Sequence, residues 1–178
     1  MKLVSRLLLL VLLPIAGLTR ADTAATTPEA RLAALGLTLP TPAPVVANYV
    51  PAVRSGNLVF LAGQIPRSAD GKVITGKVPA TLSEEQAQAA ARTCGLQLLA
   101  ALKAEIGDLG KVRRIVRVGG FIQSTDTFTQ QPKVLNGCSD LLVAVFGERG
   151  RHARAAVGVN ALPAGAVVEV EMIVEVAD

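Results

Sequence analysis

The sequence predicts a mixed α/β chain, of the α+β type, with one mixed sheet and two helices packed on one of its faces in the order ββαβαββ. Three observations lead there. Two long segments repeat apolar residues at spacings of three and four, the mark of a helix with one buried stripe. Several shorter segments rich in Val and Ile lie between Gly, Pro and Asn turn signals, the mark of strands. The two kinds alternate along the chain, so they share one core in two layers.

From the N-terminus, residues 1–21 read as an export signal. Lys2 and Arg6 precede an apolar run from Leu7 to Leu18, whose 12 residues fall short of the roughly 20 needed to cross a bilayer. Thr19-Arg20-Ala21 offers a small-x-small cleavage site, with the cut expected after Ala21. The expected location is periplasmic or secreted, with no membrane association after cleavage. Residues 22–44 read as a short helix and a Pro-rich connector, and residues 45–178 as the main domain.

Thr27-Pro28-Glu29 starts the short helix, with Thr as cap, Pro at the first helical position and an acid at the positive dipole end. It is expected to reach Leu35 and stop at Gly36, before Pro40, Pro42 and Pro44 force an extended path. Val50 to Val53 and Leu58 to Gly63 form a hairpin around Arg54-Ser55-Gly56-Asn57. Ser83-Glu84-Glu85-Gln86 is a capping box. The helix it opens runs to about Glu105, closed by Gly107, with Ala87, Ala91, Cys94, Leu98 and Leu102 on one stripe. Lys111 to Gln123 is a strand. A second long helix starts near Thr129 and ends at Gly147, with a stripe from Val134 to Phe146. Ala153 to Ala161 and Val167 to Val176 complete the sheet around Leu162-Pro163-Ala164-Gly165.

Period-two alternation assigns faces. Val168, Val170, Met172, Val174 and Val176 are expected to meet the helices, as are Val157 and Val159. The opposite face then carries Arg154, Ala156 and Gly158 beside Glu169, Glu171, Ile173 and Glu175. Such a face allows a second interface, made by oligomerisation, with an Arg and acids inside it.

Composition narrows the chemistry. With 51% hydrophobic residues the chain is not a disordered one. Of its 18 basic residues, Lys2, Arg6 and Arg20 belong to the signal, leaving 15 against 14 acidic residues and a nearly neutral mature chain. That balance, with 3% aromatic residues available for base stacking, argues against nucleic acid as a partner despite Lys111, Arg113, Arg114 and Arg117 on one strand. Two cysteines without CxxC spacing make neither a disulfide scaffold nor a zinc framework. Cys94 and Cys138 read as buried thiols on helix stripes; an oxidising compartment would also permit a bridge, were their Cα atoms roughly 4.4–6.8 Å apart. The single histidine, His152, argues against a His-based metal site or a Ser-His relay, and it reads as exposed loop beside Arg151.

Several segments, in order, carry a resemblance to a known family. They are Asn48-Tyr49-Val50-Pro51, Gly56-Asn57-Leu58-Val59-Phe60-Leu61-Ala62-Gly63-Gln64-Ile65-Pro66, Gln131-Pro132-Lys133-Val134-Leu135-Asn136-Gly137, and His152-Ala153-Arg154-Ala155-Ala156-Val157-Gly158-Val159 with Leu162-Pro163 and Val168-Glu169-Val170-Glu171. From about Arg31 to Val176 the chain resembles the RidA/YjgF family, in its chorismate-mutase-like branch. The resemblance implies a homotrimer around a central barrel, with a small carboxylate-bearing ligand in clefts between subunits. It implies hydrolysis of reactive enamines and imines, such as 2-aminoacrylate, to 2-oxo acids and ammonia, with no metal and no organic cofactor.

By the same resemblance Arg154 and Glu169 are the catalytic candidates, and Tyr49, Gly63, Asn136 and Arg154 the substrate-binding ones. An arginine is a planar fork that can hold a carboxylate bidentately. A glutamate can orient or deprotonate the water that attacks an imine carbon. Gly63 would let backbone approach the ligand. Two positions depart from the family pattern: Ala62 stands where a serine often precedes the cleft glycine, and Ala156 where archetypal members carry a cysteine. A non-catalytic trimer that captures small carboxylates is therefore the alternative, ahead of an endoribonuclease.

Overall fold

In a computed structural model, which describes residues 27–42 and 47–177, the elements follow the expected order. The expected signal segment and its cleavage point lie outside the described residues. Helix α1 (Pro28–Ala34) precedes strands β1 (Ala52–Ser55) and β2 (Leu58–Gln64), helix α2 (Glu84–Ile106), strand β3 (Val112–Gln123), helix α3 (Gln131–Phe146), and strands β4 (Ala153–Val159) and β5 (Val168–Val176). Among the described residues no helix is long and apolar enough to cross a membrane.

Local chemistry accounts for the element ends. The Thr27 hydroxyl accepts from the Ala30 amide at 3.1 Å, and α1 is tied down where Glu29 accepts from the Leu109 amide at 3.1 Å. The β1–β2 hairpin turns through Gly56 and Asn57, and Gly56, at φ +59°, takes a left-handed conformation that side chains disfavour. At Ser83 the box closes in both directions: the Gln86 amide donates to the Ser83 hydroxyl at 3.2 Å, and the Ser83 amide to the Gln86 side chain at 2.9 Å. α2 ends at Gly107, as its sequence indicates.

The five strands lie in the order β1-β2-β5-β3-β4, antiparallel except for the parallel β3–β4 pair that α3 connects. The core lies between one face of this sheet and the helices. Ala87, Ala91, Cys94, Leu98 and Leu102 of α2 and the α3 stripe from Val134 to Phe146 are buried there, against Val168, Val170, Met172, Val174 and Val176 of β5. Cys94 and Cys138 are both free within that layer, and burial pushes the Cys138 thiol up to about 12, so they act as small apolar side chains.

One face assignment is reversed. β4 pairs in register with β3 so that Arg154 lies beside Val118, Ala156 beside Gly120 and Gly158 beside Ile122. Val118 and Ile122 are fully buried core residues, so Arg154, Ala156 and Gly158 point to the helix side and Val157 and Val159 point away from it. The reason is space beneath α3. A Cβ on Gly158 would meet the Ser124 hydroxyl at 2.7 Å and the Gln131 amide nitrogen at 2.9 Å, so this strand presents its small residues inward. Val157, left 46% exposed, joins Val53 and Phe60 on the helix-free face, where Ile173, Glu169 and Glu171 also lie.

Candidate functional site

The residues singled out from the sequence form two groups on opposite faces of the sheet. The first is built by α3 and β4. Asn136 and Ser139 are three residues apart on α3 and so share a helix face. Arg154, entering from the edge strand, donates through Nη1 to the side-chain oxygen Oδ1 of Asn136 at 2.8 Å and to the Ser139 hydroxyl at 3.0 Å. Both bonds use one nitrogen. Among the described residues no group takes Nε or Nη2, and the side chain is exposed. A guanidinium held from one side with its other donors open is suited to gripping a planar anion.

The group continues behind Ser139. The Ser139 hydroxyl lies 3.1 Å from His152 Nε2, and His152 Nδ1 lies 2.6 Å from the Gly150 carbonyl oxygen. A serine–histidine pair therefore does form here, against the expectation that a lone histidine would be exposed loop. His152 is half-buried, and its pKa is lowered mainly by that burial; the Gly150 carbonyl works the other way and the Arg154 charge adds to the lowering. Sequence reasoning assigned neither Ser139 nor His152 a role. The available signal was helical spacing, since Ser139 follows Asn136 by three.

The second group lies on the helix-free face across β2, β5 and β3. Glu169 on β5 leans over Gly63 on β2, where a Cβ would collide with its carboxylate, so Gly63 provides room for that side chain. Glu171, two residues on, leans over Gly119 of β3 in the same way and pairs with Arg117 at 2.8 Å. Burial first, and the neighbouring Glu171 charge second, raise the Glu169 carboxyl above its ordinary 4.5. A carboxylate whose pKa moves toward neutrality is better placed to exchange protons with a bound water.

Within one chain, then, Arg154 meets Asn136 and Gly63 meets Glu169, but β3 separates the two groups and Arg154 does not meet Glu169. The expectation that the arginine and the acids share a face fails for the reason found in β4. Tyr49 sits ahead of β1 and is 57% exposed. Among the described residues no cluster of three or more His, Cys, Asp or Glu side chains could hold a metal ion.

Comparison with known proteins places this architecture. A protein named TCP17 from Trypanosoma cruzi is 47% identical over 147 residues, which cover 82% of this chain and 92% of that protein. A crystal structure from Shewanella oneidensis MR-1, described as a "putative endoribonuclease", is 34% identical and superposes with a TM-score of 0.81 over 85% of this chain and all (100%) of that one. RidA from the Antarctic bacterium Psychrobacter sp. PAMC 21119 is 29% identical, with a TM-score of 0.54 over 78% of this chain and 96% of that one. Residues 29–176 match the family described as "YjgF/chorismate mutase-like, putative endoribonuclease". That span contains both residue groups and every element of the fold except the first residue of α1, and the chain belongs to the RidA/YjgF family.

Proposed function

We propose that this protein is an exported deaminase that hydrolyses small 2-imino and enamino acids to 2-oxo acids and ammonia. The observation that carries the reading is Arg154, anchored through Nη1 alone by Asn136 and Ser139 with its remaining donors open. A 2-imino acid has a carboxylate next to the reacting carbon. Holding that carboxylate on the free edge of the guanidinium fixes where the imine carbon lies. An enamine first takes a proton at carbon to become the imine. Glu169 then orients the attacking water or takes its proton, oxygen adds to the imine carbon and that proton passes to nitrogen. As the C–N bond breaks the hydroxyl proton follows to nitrogen, leaving the 2-oxo acid and ammonia.

Because the two groups lie on opposite faces of one sheet, this chemistry needs two copies of the chain. In the proposed homotrimer the helix-free faces, with exposed Val53, Phe60 and Val157, line the central barrel. Each cleft combines Arg154 and Asn136 of one subunit with Glu169, Gly63 and Tyr49 of its neighbour. The solution mass of the purified protein tests the assembly: three chain masses are expected, and a monomer that hydrolyses imines at full rate would rule it out. The apolar run and cleavage site of residues 1–21 support a periplasmic or secreted location.

The activity test is imine hydrolysis. An amino-acid oxidase generates 2-imino acids from a series of amino acids, and semicarbazide traps what escapes the protein. A trimer that binds pyruvate yet accelerates no imine would favour the non-catalytic carboxylate binder, the reading suggested by Ala62 and Ala156 in place of a hydroxyl and a thiol.

Glu169→Gln supplies the companion prediction. Its folded-state pKa lies above the ordinary 4.5, so the folded chain binds the proton more readily than the unfolded one. The stability linked to this group therefore falls as pH rises through that raised value, and the ionised carboxylate is a cost at neutral pH. The amide removes that cost. At pH 7.5 we expect Glu169→Gln to raise Tm slightly, by roughly 1–3 °C, while hydrolysis falls on the order of 10²-fold. Thermal melts at pH 7.5 and pH 4 check the sign, since the gain should vanish at the lower pH.

A further inference from the structure

The serine–histidine pair behind Arg154 has a defined direction. The Gly150 carbonyl can only accept, so a contact of 2.6 Å places the imidazole proton on Nδ1. In the neutral ring Nε2 is then an acceptor. The Ser139 hydroxyl must donate to it across 3.1 Å, which leaves the lone pairs of the serine oxygen for the Arg154 guanidinium at 3.0 Å. The bonds of this relay run in one direction, each donor facing an acceptor, from Arg154 Nη1 through Ser139 and His152 to Gly150. Because Arg154 already donates to the serine oxygen, Ser139 serves as an acceptor for the guanidinium and is poorly disposed to act as a nucleophile.

Resting on the reading of Arg154 as the carboxylate anchor, we infer that Ser139 and His152 are positioning residues: His152 orients the Ser139 hydroxyl so that its oxygen holds the Arg154 guanidinium, and protonation of the imidazole loosens that hold. Once protonated, Nε2 becomes a donor. The serine oxygen then faces two donors, its own proton needs a new acceptor, and a second positive charge lies beside Arg154. Arg154 is the charge that acts on the ring, and the ionisable residues next to this pair in the sequence do not offset it. Cys138 is a buried neutral thiol, Asp140 is exposed, Arg151 is paired with Glu148 at 3.0 Å, and Arg149 donates to the Val112 carbonyl at 2.7 Å. The lowered pKa of His152 agrees with a site that keeps the ring neutral. Carboxylate affinity should therefore weaken as pH falls below the ordinary histidine range.

The chain has one histidine, so nitrogen-15 NMR of its imidazole reports on His152 alone. The experiment follows the imidazole and the binding of pyruvate from pH 8.5 to 5.5 in the intact protein, Ser139→Ala, Ser139→Thr and Arg154→Ala. At pH 8 we expect the Nδ1–H tautomer, with a pKa that moves up in Arg154→Ala and changes in Ser139→Ala. Ser139→Ala should weaken pyruvate binding about 10-fold at pH 8 and flatten its pH dependence, and Ser139→Thr should restore both. Alanine suits the middle of a helix, so a folding defect does not confuse the result. An Nε2–H tautomer at pH 8, or an imidazole pKa unmoved by both substitutions, overturns the relay even if Arg154 binds the carboxylate. Pyruvate binding that is unaffected by Arg154→Ala overturns the anchor reading instead.

Discussion

Replacing Arg154 by alanine is expected to lower kcat/KM for 2-imino acids by about 10³-fold, or about 4 kcal/mol. A guanidinium that grips a carboxylate through two parallel bonds supplies both charge and direction, and truncation leaves the substrate carboxylate without a partner in the cleft. Most of the loss should fall on KM, because the carboxylate is bound in the ground state as well as in the transition state. Lysine should recover little of it. An ammonium is a point charge, and it cannot accept the geometry set by Asn136 and Ser139 while holding a planar anion with a fork. The fold should hardly notice the change, since Arg154 is exposed on an edge strand and its two partners can turn to water. The oxidase-coupled assay and a thermal melt of the same preparation separate the two effects. A variant with unaltered Tm and unaltered hydrolysis would remove Arg154 from the mechanism.

Much of the fold was legible because its signals are local. The capping box at Ser83 requires only four residues, and both helix stripes require only spacing; each found its place. Alternation in β5 was equally plain, because that strand is central and its large side chains belong to the core. β4 was misread by the same rule. It is an edge strand beneath a closely packed helix, so bulk faces outward and the inward positions are Ala156, Gly158 and an arginine. Hydrophobicity alone assigns such a strand the wrong parity. The signal that opposes it is the run of small residues alternating with valines.

The candidate site was legible to a different degree. Arg154, Asn136, Gly63 and Glu169 came from the resemblance to a family, and the structure arranges them as Arg154 with Asn136 and Gly63 with Glu169. No local pattern could show that Gly63 leaves room for a glutamate from a strand more than 100 residues later. Ser139 and His152 escaped for a related reason. Their contact joins a helix to the start of the next strand, and in the sequence His152 lies among arginines that suggest solvent.

The largest effect on stability is expected at Gly137, where α3 crosses α2. A Cβ there would fall on the Gln88 carbonyl oxygen, with the Gln88 carbonyl carbon at 2.9 Å and the Arg92 amide nitrogen at 3.1 Å. All three are backbone atoms of another helix, so no side chain can swing aside. Gly95, on α2, provides the contrast. Its nearest neighbours are the Leu141 Cδ2 at 3.0 Å and the Cys138 Sγ at 3.2 Å, side-chain atoms that can shift by a few tenths of an ångström. Both glycines are buried in helices, where alanine is intrinsically better by about 1 kcal/mol. At Gly95 that gain should roughly offset the crowding, leaving stability within about 1 kcal/mol of the parent. At Gly137 the helices must separate, and the net loss should be about 3 kcal/mol, a Tm lower by about 6–12 °C. Urea melts of Gly137→Ala and Gly95→Ala test the ordering, and equal stabilities would mean that the helices are not in backbone contact. The loss should extend to function. Asn136 and Ser139 flank Gly137 on α3, so a displaced helix carries away the two groups that hold Arg154, and pyruvate binding should weaken in Gly137→Ala even at temperatures where the chain remains folded.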